Sequence, residues 1–317
     1  MTSTAPSLLF SIFMLLVFPG FLFTAVAGMV ASWIDRKVTA RVQYRVGPPP
    51  LQPLYDFIKL LGKETIVPRG ASRWVYLGAP LVGLSAVTLF SAMVGAAVFW
   101  PQYGFTGDLI VALYLLAIPS LALIAGGAAS RNPIASVGAS REMKMMLGYE
   151  LPILLAVGVV LVLTNGEIRL GELVRQQAEQ APTGPWVLAT VLAMVAVIFG
   201  MQAKLGLVPF DAAESETELM GGILVEYSGV PLAIYRLTRT MLLWSLPLFV
   251  VAVFWGADAH DIAGGFLTVA KYVALLVIIT LMRNTNPRVR IQHAVGFLWK
   301  LAGLSALAGI LVAFLWR

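Results

Sequence analysis

Residues 186–229 read WVLATVLAMVAVIFGMQAKLGLVPFDAAESETELMGGILVEYSG, and a second apolar run from 230 to 255 follows directly. Crossing about 30 Å of hydrocarbon takes roughly 20 helical residues, so both runs are long enough to span a membrane. Between them, the stretch from Pro209 to Gly229 holds Asp211, Glu214, Glu216, Glu218 and Glu226 with no Lys or Arg among them. A helix starting at Asp211 would put Asp211, Glu214 and Glu218 on one face, where like charges raise one another's pKa and titrate as a coupled set. Such a set can hold and hand on protons near neutral pH. The plainer alternative is a solvated loop whose acids only keep it in water. The setting favours the first reading. Gly221-Gly222 permits close backbone approach, and apolar walls on both sides make an ionised carboxylate costly unless it is paired or protonated.

The rest of the chain repeats the apolar pattern. Spans are expected at about 8–32, 75–99, 109–129, 149–164, 186–207, 230–255, 264–282 and 294–316, the fourth being the shortest, with Pro152 near its start and Gly158 in its middle. Of 317 residues 59% are hydrophobic and only 12% charged, too apolar for a soluble domain of this length. The fold class read from this is an all-α integral membrane protein, with about eight transmembrane helices and amphipathic cytoplasmic loop helices. It forms a single polytopic membrane domain over residues 1–317. The first apolar run exceeds a signal h-region and lacks a basic n-region, so no cleavage is expected.

Composition also excludes chemistry. With no cysteine, thiolate-held iron–sulfur clusters and Cys-based zinc sites are ruled out, and His260 and His293 lie too far apart in sequence to suggest a shared metal or haem. No cofactor is expected in this chain. The net charge of +6 follows loops beside apolar runs, which fits membrane topology and not nucleic acid. One set of alternate loops carries Arg36, Lys37, Arg41, Arg45, Lys59, Lys63, Arg69, Arg73, Arg131, Arg141, Lys144, Lys204, Arg283, Arg288 and Arg290, whereas the opposite set has Arg169 and Arg175. The positive-inside rule makes the first set cytoplasmic, with the acidic stretch on that side and both termini outside.

Within the first basic loop, Leu51, Leu54, Phe57, Ile58 and Leu61 recur at helical spacing between Asp56, Lys59 and Lys63, which predicts an amphipathic surface helix entered through the stiff Gly47-Pro48-Pro49-Pro50 turn. The next basic loop has a shorter amphipathic stretch around Arg141, Glu142 and Lys144. Residues 165–185 read as a short solvated helix with no chemistry. Glu150, Arg236, Arg239 and Lys271 fall within or at the ends of spans, where pairing or a polar pathway is the default expectation and snorkelling the alternative for the longer side chains. A path from the acidic stretch through Glu226 to Glu150, tuned by Arg236 and Arg141, is the chemistry this layout permits.

Four segments in order, DRKVTARVQYRVGP (35–48), LQPLYDFIKLLGKE (51–64), GASREMKMMLGYELP (138–152) and PFDAAESETELMGG with VEYSG, resemble the signatures of respiratory complex I subunit 1 and span most of the chain. The resemblance implies a membrane subunit that abuts a hydrophilic electron-transfer arm and joins it to antiporter-like subunits. Quinone-reducing members typically carry a longer insertion before Leu-Gln-Pro and a Glu-Thr-Asn-Arg-type stretch before Pro-Phe-Asp. Here Gly47 is followed by three prolines, and that stretch is KLGL (204–207). Met145, Gly148 and Glu142 also depart from the quinone-type segment. These departures resemble the branch found in energy-converting membrane-bound nickel–iron (NiFe) hydrogenases coupled to formate, CO or ferredoxin oxidation.

The resemblance thus implies a coupling subunit that docks the electron-transfer arm and links redox chemistry to H⁺ or Na⁺ translocation in a prokaryotic inner membrane. Its implied partners are NiFe-hydrogenase-like large and small subunits, an iron–sulfur subunit and antiporter-like membrane subunits. The NiFe and iron–sulfur centres belong to those partners. Asp211, Glu214, Glu216, Glu218, Glu226 and Glu150 are the candidate proton or charge carriers. Arg36, Arg41, Arg45, Arg141, Lys204 and Arg236 are candidates for docking or charge compensation. Rival readings are a quinone-chamber subunit, a free-standing secondary transporter, which the lack of an internal repeat disfavours, and an inert anchor for the soluble arm.

Overall fold

The computed structural model describes residues 8–179, 184–257 and 261–315, so His260 lies outside the described residues, as do the side chains of Pro185, Glu216 and Thr217. Every regular element among them is helical. Helices α1 (Leu8–Leu16) and α2 (Phe21–Val42) form the first long apolar segment, interrupted at Pro19-Gly20. Then follow α3 (Gln52–Leu61), α4 (Arg73–Phe99), α5 (Asp108–Ala129), α6 (Pro133–Leu163), α7 (Leu170–Glu179), α8 (Gly184–Lys204), α9 (Glu216–Leu219), α10 (Gly229–Val250), α11 (Ile262–Thr285), α12 (Ile291–Phe297) and α13 (Gly303–Leu315). Among the described residues, 8 segments are long and apolar enough to cross a membrane, matching the expected spans in number and order.

Two boundaries differ from the sequence reading, for one reason. A helix does not end where it leaves the hydrocarbon, because its backbone bonds remain satisfied in water. Thus α2 continues to Val42, carrying Asp35, Arg36 and Arg41 on its last turns instead of in a loop. The fourth span is not short: α6 runs 31 residues from Pro133, so the amphipathic stretch around Arg141 is its first half. The Asn132 side chain accepts from the Ile134 N–H, and Pro133 occupies the first turn, a strong start signal. Pro152 removes one donor inside the helix, yet buried Tyr149, Ile153 and Ala156 on either side hold it through.

Helix α10 lies at the centre of the bundle, packed on α2, α3 and α4, and continues as a π-helix from Val251 to Gly256 just after Pro247. Close approach is permitted by small residues, as membrane bundles generally require. A methyl group at Gly28 of α2 would lie 2.4 Å from the Thr240 carbonyl of α10. The surface helix α3 forms where expected, turning Pro53 and Leu60 inward against α10 and α2. Helix α7 is less solvated than its composition suggests, since it buries Leu170, Leu173 and Val174 and packs against the π-helix.

The acidic stretch is seated on α6. Gly221 and Gly222 have φ of 101° and 58°, and a methyl group at Gly222 would fall 2.0 Å from the Ala213 carbonyl oxygen. On the α6 side, a Cβ added at Gly138 would lie 2.6 Å from the Ile223 backbone nitrogen and 3.1 Å from Ala213 O. Gly138→Ala is therefore expected to unseat this loop at a cost of about 1–3 kcal/mol, seen as faster amide exchange across 211–225 while α10 stays protected.

Candidate functional site

The acids of the stretch do not share a helix face. Residues 211–215 form turns and only Glu216–Leu219 is helical, so the expected like-charge set is replaced by separate ion pairs. Asp211 accepts from Arg288 Nε at 2.9 Å. Glu214 is held by both terminal nitrogens of Arg239 at 2.7 and 2.9 Å, the bidentate geometry that guanidinium and carboxylate favour. Glu218 pairs with Arg141 of α6. Fractional side-chain exposure of 13%, 20% and 54% for Asp211, Glu214 and Glu218 places the first two inside the protein and Glu218 at its rim. The backbone of Glu216 lies in α9, and its side chain is not described.

Glu226 stands apart from these. Its carboxylate accepts from the Asn132 side-chain amide, and its backbone carbonyl accepts from the Tyr76 hydroxyl at 2.7 Å. Tyr76 stacks on Tyr227 with centroids 4.2 Å apart, and burial pushes the Tyr227 hydroxyl well above its usual range, keeping it neutral. The expected route through Glu226 to Glu150 is not built. Glu226 locks the loop to α6 and α4 instead.

The polar track runs elsewhere. Lys204, at the end of α8, is buried with its ammonium 4.7 Å from the centre of the Tyr149 ring. Glu150 and Glu142 of α6 are the carboxylates whose charges reach it. Glu142 in turn faces Glu214 and Arg239, and lies beside Ser120 of α5, whose hydroxyl accepts from the Tyr149 hydroxyl at 2.8 Å. One oxygen of Glu150 is buried with no hydrogen-bond partner. The succession Glu214, Arg239, Glu142, Lys204, Glu150 thus leads from the acidic loop toward the bundle interior.

Three cavities that share lining residues lead from the rim of the loop to Lys204 in this succession. One of 550 Å³ is lined by Arg141, Glu218, Asp211 and Arg288. A second, of 440 Å³, shares Asp211 and Arg288 with it and adds Asp35, Arg36, Glu214, Arg236, Arg239 and Arg283. A third, of 70 Å³, shares Glu214, Arg236 and Arg239 with the second and reaches Glu142 and Lys204. Since one water needs roughly 10–15 Å³ of such space, even the smallest has room for several. At the second cavity, buried Asp35 accepts from Arg283 at 2.6 Å and from the Thr280 hydroxyl at 3.0 Å.

Sequence reasoning placed the acids in the right loop and marked Arg239 for pairing or a polar pathway, but missed Glu142, Asp35, Arg283 and Arg288 as members of the site. A signal existed for Glu142: had α6 been drawn from Pro133, Glu142 and Tyr149 would have fallen two turns apart on one face. Of the two roles expected for Lys204, docking and charge compensation, its position fits the second: it is buried beside Glu150 and Glu142, because α8 carries it in before turning out at Gly206. Arg41 and Arg45 are exposed, Arg236 lines the cavities, and Arg36 bonds Asp56 of α3 at 2.7 Å. No group of three or more His, Cys, Asp or Glu side chains converges on a metal position among the described residues.

The hydrogen bond from Arg36 holds the Asp56 carboxyl below the usual carboxylate range. A depressed acid stabilises the fold above its unfolded pKa, and that contribution fades as pH falls through the folded value. Amide exchange in α3 is therefore expected to quicken at acid pH in the wild type, and Asp56→Asn to be fast already at neutral pH with little further change on acidification.

Helices long and apolar enough to cross a membrane, enclosing a run of paired charges entered from a surface loop, define a polytopic membrane protein with an ionisable interior. Residues 12–314 match the family described as NADH dehydrogenase. The chain is 33% identical over 303 residues to the H subunit of the NADH-quinone oxidoreductase of Thermomicrobium roseum, covering 88% of this chain and 89% of that one. It is 32% identical to the corresponding chain of Geobacillus thermodenitrificans, covering 84% and 82%. Its fold is also similar to a chain of the membrane-bound sulfane sulfur reductase, an archaeal respiratory membrane complex. There the TM-score is 0.83 at 28% identity, with 92% of this chain and 96% of that one covered. The chain belongs to the NADH dehydrogenase subunit 1 family of complex I, and it is a membrane subunit of a complex I-like oxidoreductase complex.

Proposed function

We propose that this subunit couples redox chemistry in a docked hydrophilic arm to ion translocation, in the manner of the energy-converting NiFe-hydrogenase branch. The carrying observation is the chain of shared cavities from Glu218 to Lys204, whose charges are paired but not sealed from water. A charge appearing at the loop side would compete for Arg141, Arg288 or Arg239 and release a carboxylate, which shifts the next pair inward. Intramembrane ionisable residues arranged in contiguous pairs fit such a relay better than an inert anchor. Asp211, Glu214, Glu142 and Glu150 are the carriers in this reading, with Lys204 and Arg239 between them and the exposed Glu218–Arg141 pair at the rim. Exposed Arg41 and Arg45 suit docking to an acidic face of the arm, on the side the basic loops assign to the cytoplasm. The subunit itself would hold no redox group, and NiFe and iron–sulfur centres would belong to its partners.

A second reading is favoured by the 440 Å³ cavity, where five arginines face three carboxylates. That excess of cations suits the polar head of a quinone, as the names of the two NADH-quinone oxidoreductase relatives suggest. Purifying the intact complex decides between the two. Stoichiometric nickel with ferredoxin- or formate-driven H₂ evolution, insensitive to quinone analogues, is the expected result. A nickel-free complex whose turnover depends on added quinone would establish the second reading and sink the first.

A further inference from the structure

At the end of the bundle opposite the acidic loop, a groove of 430 Å³ opens between α7, the start of α8, the π-helix and α11. That volume lies within the range of ligand pockets, roughly 300–1,000 Å³. Its wall is apolar along Val191 and Met194, and Trp186 and Trp255 frame it at the helix ends, the depth at which aromatic side chains mark the membrane interface.

Besides the two indoles, three side-chain hydrogen-bond donors line this groove, and no carboxylate does among the described residues. Gln177 of α7 is only 9% exposed, and its amide nitrogen is buried without a partner. The Thr190 hydroxyl is likewise buried and unpaired. Other helical threonines of this chain return their hydroxyls to the carbonyl four residues back, as Thr88, Thr238 and Thr240 do at 2.8–2.9 Å. Thr190 does not, although the same bond is open to any helical threonine. Lys271 adds a positive charge at the rim, where its ammonium donates to the Trp255 carbonyl at 2.9 Å and the Gly256 carbonyl at 2.7 Å. Buried unpaired donors cost free energy, so their survival in an otherwise apolar wall calls for an acceptor-rich occupant.

We infer that this groove binds a phospholipid of the leaflet opposite the acidic loop. Its phosphodiester and glycerol-linkage oxygens accept from Gln177, Thr190 and the Lys271 side, and one acyl chain lies along Val191 and Met194. A phospholipid offers acceptors beside one another at one end and hydrocarbon at the other, and the groove sets its buried donors beside an apolar wall that continues along α8 through Val191 and Met194. The site is independent of the coupling track, since α8 separates its two ends.

The test is phospholipid retention by the purified intact complex after exhaustive exchange into lipid-free detergent, read by native mass spectrometry and by organic phosphorus. The wild type is expected to keep a tightly held phospholipid. The Gln177→Leu/Thr190→Val double variant should lose it with about tenfold weaker retention, as expected for two lost hydrogen bonds. Both substitutions replace unpaired polar groups by apolar ones of similar size, so assembly is expected to survive. The single Thr190→Val variant provides the same readout should the double variant fail to assemble. Phosphatidylglycerol added back should raise the melting temperature of the delipidated wild type, and diacylglycerol, which lacks the phosphate, should not. Complete loss of phosphorus from the wild type, or equal retention by the variants, would overturn the assignment.

Discussion

Replacing Glu214 by Gln is expected to lower the number of ions moved per electron by roughly tenfold while electron transfer through the partner subunits continues. Glu214 is the group common to the loop, the 440 Å³ cavity and the 70 Å³ cavity, and it holds both nitrogens of Arg239. An amide cannot balance that guanidinium or carry a negative charge onward, so the inner pairs are cut off from the loop. Removing one member of a partly enclosed ion pair costs more than losing a surface contact, because the remaining charge stays without a counter-charge. Glu218→Gln provides the contrast: with 54% of its side chain exposed, its pair with Arg141 is screened by water, and its loss should alter the ratio less than twofold. Proton or sodium uptake by sealed vesicles, measured against electron flux in the same sample, reads both variants. An unchanged ratio in the Glu214 variant would remove the relay and leave the subunit as an anchor.

Lys204→Met should have the largest effect of all on the assembled complex. Lys204 is buried among apolar residues, and it is the cation that Glu150 and Glu142 share. Without it Glu150 loses its counter-charge and Glu142 keeps only Arg239, and an uncompensated buried charge costs about 3–5 kcal/mol, enough for a hundredfold loss or more in coupled turnover. A charge-neutral double variant separates electrostatics from packing. If Lys204 acts through its charge, Lys204→Met with Glu142→Gln should recover much of the melting temperature that Lys204→Met alone loses, while translocation stays low. Additive losses would instead mean that Glu142 and Lys204 do not interact, since groups in contact couple by about 0.5–3 kcal/mol. The wild-type order of the inner track rests on that coupling.

Parts of the site were legible in the amino-acid sequence. The run from Pro209 to Gly229 is acidic in plain text, and Gly221-Gly222 announced a tight approach that the positive φ values and the 2.0 Å clash at Gly222 bear out. The surface helix at 52–61 followed from its apolar spacing. The partners of the acids were not legible. Arg141 lies 77 residues from Glu218, and Arg239 lies 25 from Glu214 across a turn and a helix start. Arg288 reaches Asp211 from beyond α11. Local spacing predicts repulsion among neighbouring carboxylates, and only packing brings in the cations that cancel it.

Apolar run length and the order of polar breaks therefore determine, by themselves, a membrane bundle of eight crossing segments with an acid-rich loop. Each crossing depends on the number of consecutive residues that tolerate hydrocarbon, and that is a property of the linear chain. Tertiary structure alone decided that the acids are paired one by one, that Lys204 faces inward, and that Glu142 joins the track. Charge balance inside a membrane depends on distances of a few ångströms between helices far apart in sequence, and those distances arise only once the helices have packed.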